Sequence, residues 1–189
     1  MLKIGISGNR GSFSEEAANH YCHKNKVKDY ELIYLISVER VLQALDDKEI
    51  DQGIFPIENS NGGIVYEAVH AMSRHVFEID TIFEIDVRHC LLAKPGVNVS
   101  DINLVVSHPQ GLKQCRMYLK RKWESTDLKE YADTAQAAAD LRDGILSKQA
   151  AVITSRACAE LYGLDILEEN IQDLKFNFTS FIATKINKN

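Results

Sequence analysis

The stretch Phe55-Pro56-Ile57-Glu58-Asn59-Ser60-Asn61-Gly62-Gly63 decides how the chain is read. A short apolar strand stops at Pro56 and hands over to four polar side chains, Glu58 to Asn61. After Gly63, Ile64, Val65, Ala68, Val69 and Met72 recur at helical spacing, which predicts a helix with the polar cluster at its N-terminus. Backbone N–H groups and the helix dipole favour an anion there. Polar groups at the carboxyl end of a strand are also where open α/β sheets hold small ligands. The other reading is an ordinary strand-to-helix turn with a solvated Glu58.

Working back from this stretch, Leu2 to Ile6 alternates as a strand, Ser7 to Gly11 turns, and Ser12 and Glu15 have the spacing of a capping box. The Gly8-x-x-Gly11 loop can cradle a phosphate or carboxylate but is not the dinucleotide fingerprint. Glu31 to Leu35 reads as a second strand, Val38, Val41, Leu42 and Leu45 as one face of a helix, and Gln52 to Phe55 as a third strand.

Working forward, Phe83, Ile85, Val87, His89 and Leu91 alternate within 77–92, a length unusual for one strand, and mark a crossing between two lobes. The first lobe is expected at about 1–78 plus about 176–189, the second at about 79–175. Ile102 to Val106 is a strand, and Ser107-His108-Pro109-Gln110 again places polar residues at a strand end, with Pro109 suited to a first helical turn. One helix is expected through Leu112, Cys115 and Leu119. Asp133 and Gln136 read as a cap, Gly144 as a stop, Ala150 to Ile153 as a buried strand, and Ser155 to Tyr162 as a helix closed by Gly163. The tail, Ile171 to Thr184, reads as a polar loop feeding a final strand. The alternation predicts an α/β protein with mainly parallel sheet, in two lobes.

The 189 residues are 45% hydrophobic, enough for a folded core, and the formal charge of −5 argues against a nucleic-acid binder. The N-terminus enters a strand directly and no apolar run approaches a membrane span, so a soluble, cytoplasmic protein is expected. Cys22, Cys90, Cys115 and Cys158 are widely spaced and read as reduced core thiols. The pairs His20/His23 and His70/His75 lack ligand partners at metal spacing, so no metal is expected.

The polar clusters, taken in order, resemble the catalytic domain of prephenate dehydratase over residues 4–184. The family's Gly-Pro-x-Gly-(Thr/Ser)-Phe-Ser is matched by Gly8 to Ser14, and its Pro-Ile-Glu-Asn-Ser by Pro56 to Ser60. Ser-His-Pro-Gln with Gln-Cys is matched by Ser107 to Gln110 with Gln114 and Cys115. Thr-Ala-x-Ala-Ala appears as Thr134 to Ala138, and the Gly-Leu and Ile-Gln-Asp stretches as Gly163-Leu164 and Ile171-Gln172-Asp173. The resemblance implies two α/β lobes related to type II periplasmic binding proteins, with the active site in the cleft between them. It implies conversion of prephenate to phenylpyruvate, CO2 and water, with no cofactor. Catalytic roles fall on Thr179, Asn59 and Gln114, and substrate-binding roles on Ser107, Glu58, Ser60, Ser12, Asn177 and Phe181. The expected partners are prephenate and a second copy of the chain in a homodimer, with no nucleic acid and no membrane.

Three departures qualify the resemblance. The family's Thr-Arg-Phe reads Thr179-Ser180-Phe181, which removes a cation able to grip a substrate carboxylate; Ser180→Arg is therefore expected to tighten binding, and Arg10 or Lys175 is a candidate replacement. Asn9 replaces a proline, and His70 stands where the family usually has Asp. The chain stops soon after the last strand, so the regulatory ACT domain, and with it any response to phenylalanine, is expected to be absent. A decarboxylase that retains the ring hydroxyl, and a binding module that has lost catalysis, are the competing functions. Thr179 favours dehydration.

Overall fold

Strands and helices alternate through residues 1–185, which the structure, a computed structural model, describes. In chain order they are β1 (Leu2–Ile6), α1 (Phe13–Lys24), β2 (Tyr30–Tyr34), α2 (Val38–Asp46), β3 (Gln52–Asn59), β4 (Gly63–Ile64), α3 (Tyr66–Met72), β5 (Ile79–Asp86), β6 (Cys90–Ala93), β7 (Leu104–Ser107), α4 (Pro109–Gln114), α5 (Arg116–Lys122), β8 (Asp127–Glu130), α6 (Thr134–Asp143), β9 (Ala150–Thr154), α7 (Arg156–Tyr162), β10 (Asp165–Glu169) and β11 (Phe178–Thr184). They form two compact units. One comprises Met1–Asn9, Phe13–Asp86 and the run from Phe178; the other comprises Arg10–Ser12 and Val87–Asn177. The chain thus changes unit after β5 rather than before it, because β5 pairs along its whole length with β11. Among the described residues no helix is long and apolar enough to cross a membrane.

The first unit is a sheet of order β2-β1-β3-β11-β5, with β4 added to β3. β2, β1 and β3 run parallel, whereas β11 enters antiparallel to both β3 and β5. One face buries Phe55 and Ile182 against Val41, Leu42 and Leu45 of α2, the helix face predicted from the spacing. Phe181 stacks on Phe83 with ring centroids 6.0 Å apart. Ser37 caps α2 by accepting from Arg40 N.

Behind α2, His75 lies between two carboxylates, with Nδ1 2.6 Å from Asp46 and Nε2 3.2 Å from Glu39. The Asp46 hydrogen bond, helped by Glu39, holds its pKa above the ordinary histidine value against the opposing effect of burial. A raised native pKa contributes stability in full below the unfolded value near 6.5 and loses it as pH rises through the native value. Thermal melts of wild type should therefore lose about 1 kcal/mol across that window, and His75→Gln should flatten the loss. An unchanged pH profile in the variant would contradict this.

The second unit is a sheet of order β10-β6-β9-β7-β8. β9 lies at its centre with every residue buried, which is why Ala150 to Ile153 reads as a continuous apolar run. Ala135, Ala138 and Leu141 of α6 cover one face; Cys115, Tyr118 and Leu119 cover the other. The predicted punctuation is present: Asp133 caps α6, Pro109 opens α4, and Gly144 and Gly163 end α6 and α7 in the left-handed region. All four cysteines are buried thiols outside any disulfide, and burial raises the Cys22 thiol to about 11.

Four expectations are corrected. The sheets are mixed, not mainly parallel: β11 is antiparallel to both its neighbours, as are β6 to β9 and β10 to β6. β3 does not stop at Pro56 but runs to Asn59, since a bulge accommodates the proline: Ser180 pairs with Glu58 and Phe181 with Pro56, leaving Ile57 as the extra residue. The residues after Gly63 do not begin a helix; β4 intervenes, α3 starts at Tyr66, and Ile64 and Val69 are exposed. The polar cluster is thus a hairpin turn, not an anion site at a helix end. The helix after Pro109 is two short helices meeting at Cys115. In addition, the charged strands β8 and β10 lie at the sheet's edges, where no apolar alternation announces them.

Candidate active site

The turn between β3 and β4 is built on the Asn59 side chain. Its Oδ1 accepts from the main-chain N–H groups of Asn61 at 2.9 Å and Gly62 at 2.6 Å. Two such donors require an oxygen at that end, so the amide cannot be flipped. Nδ2 therefore donates, to Phe178 O at 3.1 Å and to Thr179 Oγ1 at 2.9 Å. Thr179 Oγ1 is an acceptor in that bond, so its own hydrogen must go elsewhere. Among the described residues no acceptor takes it. Asn59 and Thr179 face each other in register across β3 and β11, and both are buried.

Side chains alternate across a strand, so the residues next in register lie on the other face. Ser180 is flanked there by Glu58 on β3 and Glu84 on β5, and its hydroxyl donates to Glu84 at 3.1 Å. An arginine at 180 would meet two carboxylates on the face away from Thr179. Ser180→Arg should therefore leave KM within about twofold and stabilise the fold by about 1 kcal/mol, the scale of a good cross-strand charge pair. This replaces the expected tightening, and a severalfold fall in KM would restore it. Glu58 itself is exposed on this face. Ser60 is exposed too, with its hydroxyl accepting from Phe178 N at 3.1 Å. Phe181 is 1% exposed within the core, where it supports the sheet.

In the second unit, Gln114, Asn177 and His89 form a buried cluster. Asn177 Nδ2 donates to Val87 O at 2.9 Å, which fixes its amide, and also to Gln114 Oε1 at 2.8 Å. That oxygen lies 2.7 Å from His89 Nε2, so the ring nitrogen carries the proton. Burial pushes the His89 pKa down to about 4, and the ring is neutral at ordinary pH. Gln114 Oε1 thus holds two donors, and its Nε2 is the end turned away from them. In the sequence His89 stands out only as one of the alternating positions. The signal was there: a histidine on the inward side of Phe83, Ile85, Val87 and Leu91 needs a buried partner.

Ser107 is fully buried and spends its hydroxyl on Ile153 O at 2.7 Å. A Cβ on Gly111 would stand 2.5 Å from that hydroxyl, so only glycine fits the turn of α4 over it. His108 caps α4 by accepting from Gln110 N. Ser12, buried, precedes α1, next to a loop held by α7: Gly11 O accepts from Ser155 Oγ at 2.5 Å and Arg10 O from Tyr162 OH at 2.7 Å. Gly11 has φ +87°, and a side chain there would strike Cys158 Sγ. Lys175 lies over the Phe176 ring. Among the described residues no three His, Cys, Asp or Glu side chains group as a metal site.

The fold of these mixed α/β units is shared with a putative methionine-binding lipoprotein from Bacillus subtilis, which superimposes with a TM-score of 0.55 at 12% identity, over 97% of this chain and 83% of its own. The chain belongs to the prephenate dehydratase family, whose sequence pattern matches residues 4–189. The prephenate dehydratase of Arthrobacter aurescens, solved in complex with L-Phe, superimposes with a TM-score of 0.83 at 25% identity, over 100% of this chain and 61% of that one. Arogenate dehydratase/prephenate dehydratase 6 of Arabidopsis thaliana is 35% identical over 181 residues, 96% of this chain and 42% of the relative. The chain therefore spans about two fifths of the length of that curated relative.

Proposed function

We propose that the chain is a lyase that removes CO2 and water together from prephenate to give phenylpyruvate. One observation carries the reading: the Asn59 amide holds Thr179 Oγ1 as an acceptor, and so reserves the threonine O–H as a donor. The reaction needs little more than such a donor. As the ring carboxylate leaves as CO2, its electron pair enters the ring and the bond to the ring hydroxyl breaks. That oxygen departs as water once it gains a proton. Aromaticity drives the step, so the protein's task is to hold the carboxylate where water is scarce and to stabilise the departing oxygen. Thr179 is the donor to that oxygen. Gln114, its amide oriented by His89 and Asn177 through the oxygen end, is the group assigned to a substrate carboxylate. Asn177 and Thr179, each tied to one of the two amides, stand two residues apart in the chain.

The relatives' names include arogenate, the amino counterpart of prephenate, and the residues invoked act on the ring that both substrates share. The test offers each substrate separately to the purified chain. Formation of the aromatic keto acid from prephenate is the result expected. Turnover of the amino substrate alone would move the assignment to arogenate, and turnover of neither would overturn it.

A further inference from the structure

The Ile171-Gln172-Asp173 stretch grips the Gln114 cluster along its main chain. Ile171 N donates to His89 O at 3.1 Å, and His89 N donates to Gln172 Oε1 at 3.0 Å. Asp173 N donates to Gln114 O at 2.8 Å. The Asp173 carboxylate accepts from Met117 N at 2.8 Å and from Tyr118 N at 2.9 Å.

In an uninterrupted helix the carbonyl of Gln114 would accept from Tyr118 N, four residues on. Asp173 occupies both halves of that bond: its own N–H takes the carbonyl, and its carboxylate takes the N–H. The helix is therefore spliced open. Cys115 N still reaches Gly111 O, Leu119 N reaches Cys115 O, and between them Cys115 turns out of the helical region at φ −110° and ψ 16°. A carboxylate on the first amides of α5 is also favoured by the helix dipole. Ile171 is buried with Cys115, Tyr118 and Leu119, which seats the segment.

We propose that Asp173 is a positioning residue that acts through Gln114, holding open the helix break that turns the Gln114 amide onto His89 and Asn177. The inference rests on the role given to Gln114 in the proposed function. Without the splice, α4 would continue through Cys115, and the Gln114 carbonyl would bond to Tyr118 N instead of Asp173 N, freeing the end of α4 from the segment that seats it.

The test uses Asp173→Ala, Asp173→Asn, Gln114→Ala and the double variant Asp173→Ala/Gln114→Ala in the full chain. Asp173→Ala should lower kcat by roughly tenfold to a hundredfold, the scale of a misplaced catalytic group, with KM changed far less. Asp173→Asn, which keeps an acceptor oxygen, should recover much of the loss. The double variant should be no slower than Gln114→Ala alone, because the two act as one unit. Additive losses, or equal losses for Asn and Ala, would overturn the proposal. If Asp173→Ala fails to fold, Asp173→Asn with Gln114→Ala makes the same comparison. A readout independent of turnover is the imidazole Nε2–H resonance of His89 in 15N-histidine-labelled protein. It should be protected from exchange in wild type, lose protection in Asp173→Ala and lose it to a smaller extent in Asp173→Asn; undiminished protection in folded Asp173→Ala, or equal loss in the two variants, would overturn the splice. A wild type that turns over nothing would refute the proposed function, while the resonance would still decide the role of Asp173.

Discussion

Thr179→Val should lower kcat by roughly a hundredfold or more and move KM little. Valine keeps the branched shape that suits β11 and its buried position, and removes only the hydroxyl. A positioned donor to a leaving group typically contributes a factor of about a hundred to ten thousand. Because the donor acts on an oxygen that becomes basic only as its bond breaks, its loss falls on the transition state and spares substrate binding. Some stability should go too, about 1 kcal/mol, since Asn59 Nδ2 would keep Phe178 O but lose its second acceptor. Steady-state kinetics on protein with a cooperative melt separates these effects. A loss carried by KM alone would assign Thr179 to binding.

Asn59→Asp should be nearly as damaging to kcat, for a different reason. The carboxylate keeps the oxygen that accepts from Asn61 N and Gly62 N, so the turn between β3 and β4 survives. The other oxygen replaces Nδ2 and now accepts from Thr179 instead of donating to it. The threonine hydrogen is then drawn away from substrate, and kcat should fall by roughly a hundredfold although every hydroxyl is still present. The new oxygen also faces Phe178 O without a proton between them, so the variant should melt earlier, with a loss of about 1–3 kcal/mol. Asn59→Asp with near-wild-type kcat would show that the orientation of the hydroxyl does not matter, and would remove the observation on which the function rests.

What could be read in the sequence was local. Pro109 and Gly144 act within a turn of their own position, and Ala150 to Ile153 declares a central strand by composition alone. What escaped depends on residues far away. Pro56 stays in a strand because β3 bulges at Ile57 where it pairs with β11, more than a hundred positions later. The helix after Pro109 breaks because Asp173 enters from elsewhere, and nothing in residues 109–122 announces the break. Asn59 and Thr179 were named through the family motifs, but their hydrogen bond spans 120 positions and no local pattern joins them. Ser180 shows the reverse error. A missing arginine beside Thr179 in sequence reads as a missing contact to substrate, whereas strand alternation puts position 180 on the opposite face, between Glu58 and Glu84.

The central claim is that the chain takes both CO2 and the ring hydroxyl from prephenate, assisted by the Thr179 hydroxyl. Mass spectrometry of the product formed from prephenate by the wild-type chain tests it most directly. The account predicts a single aromatic keto acid lighter than the substrate by one CO2 and one water. A product that has lost CO2 but kept the hydroxyl and a non-aromatic ring would contradict it.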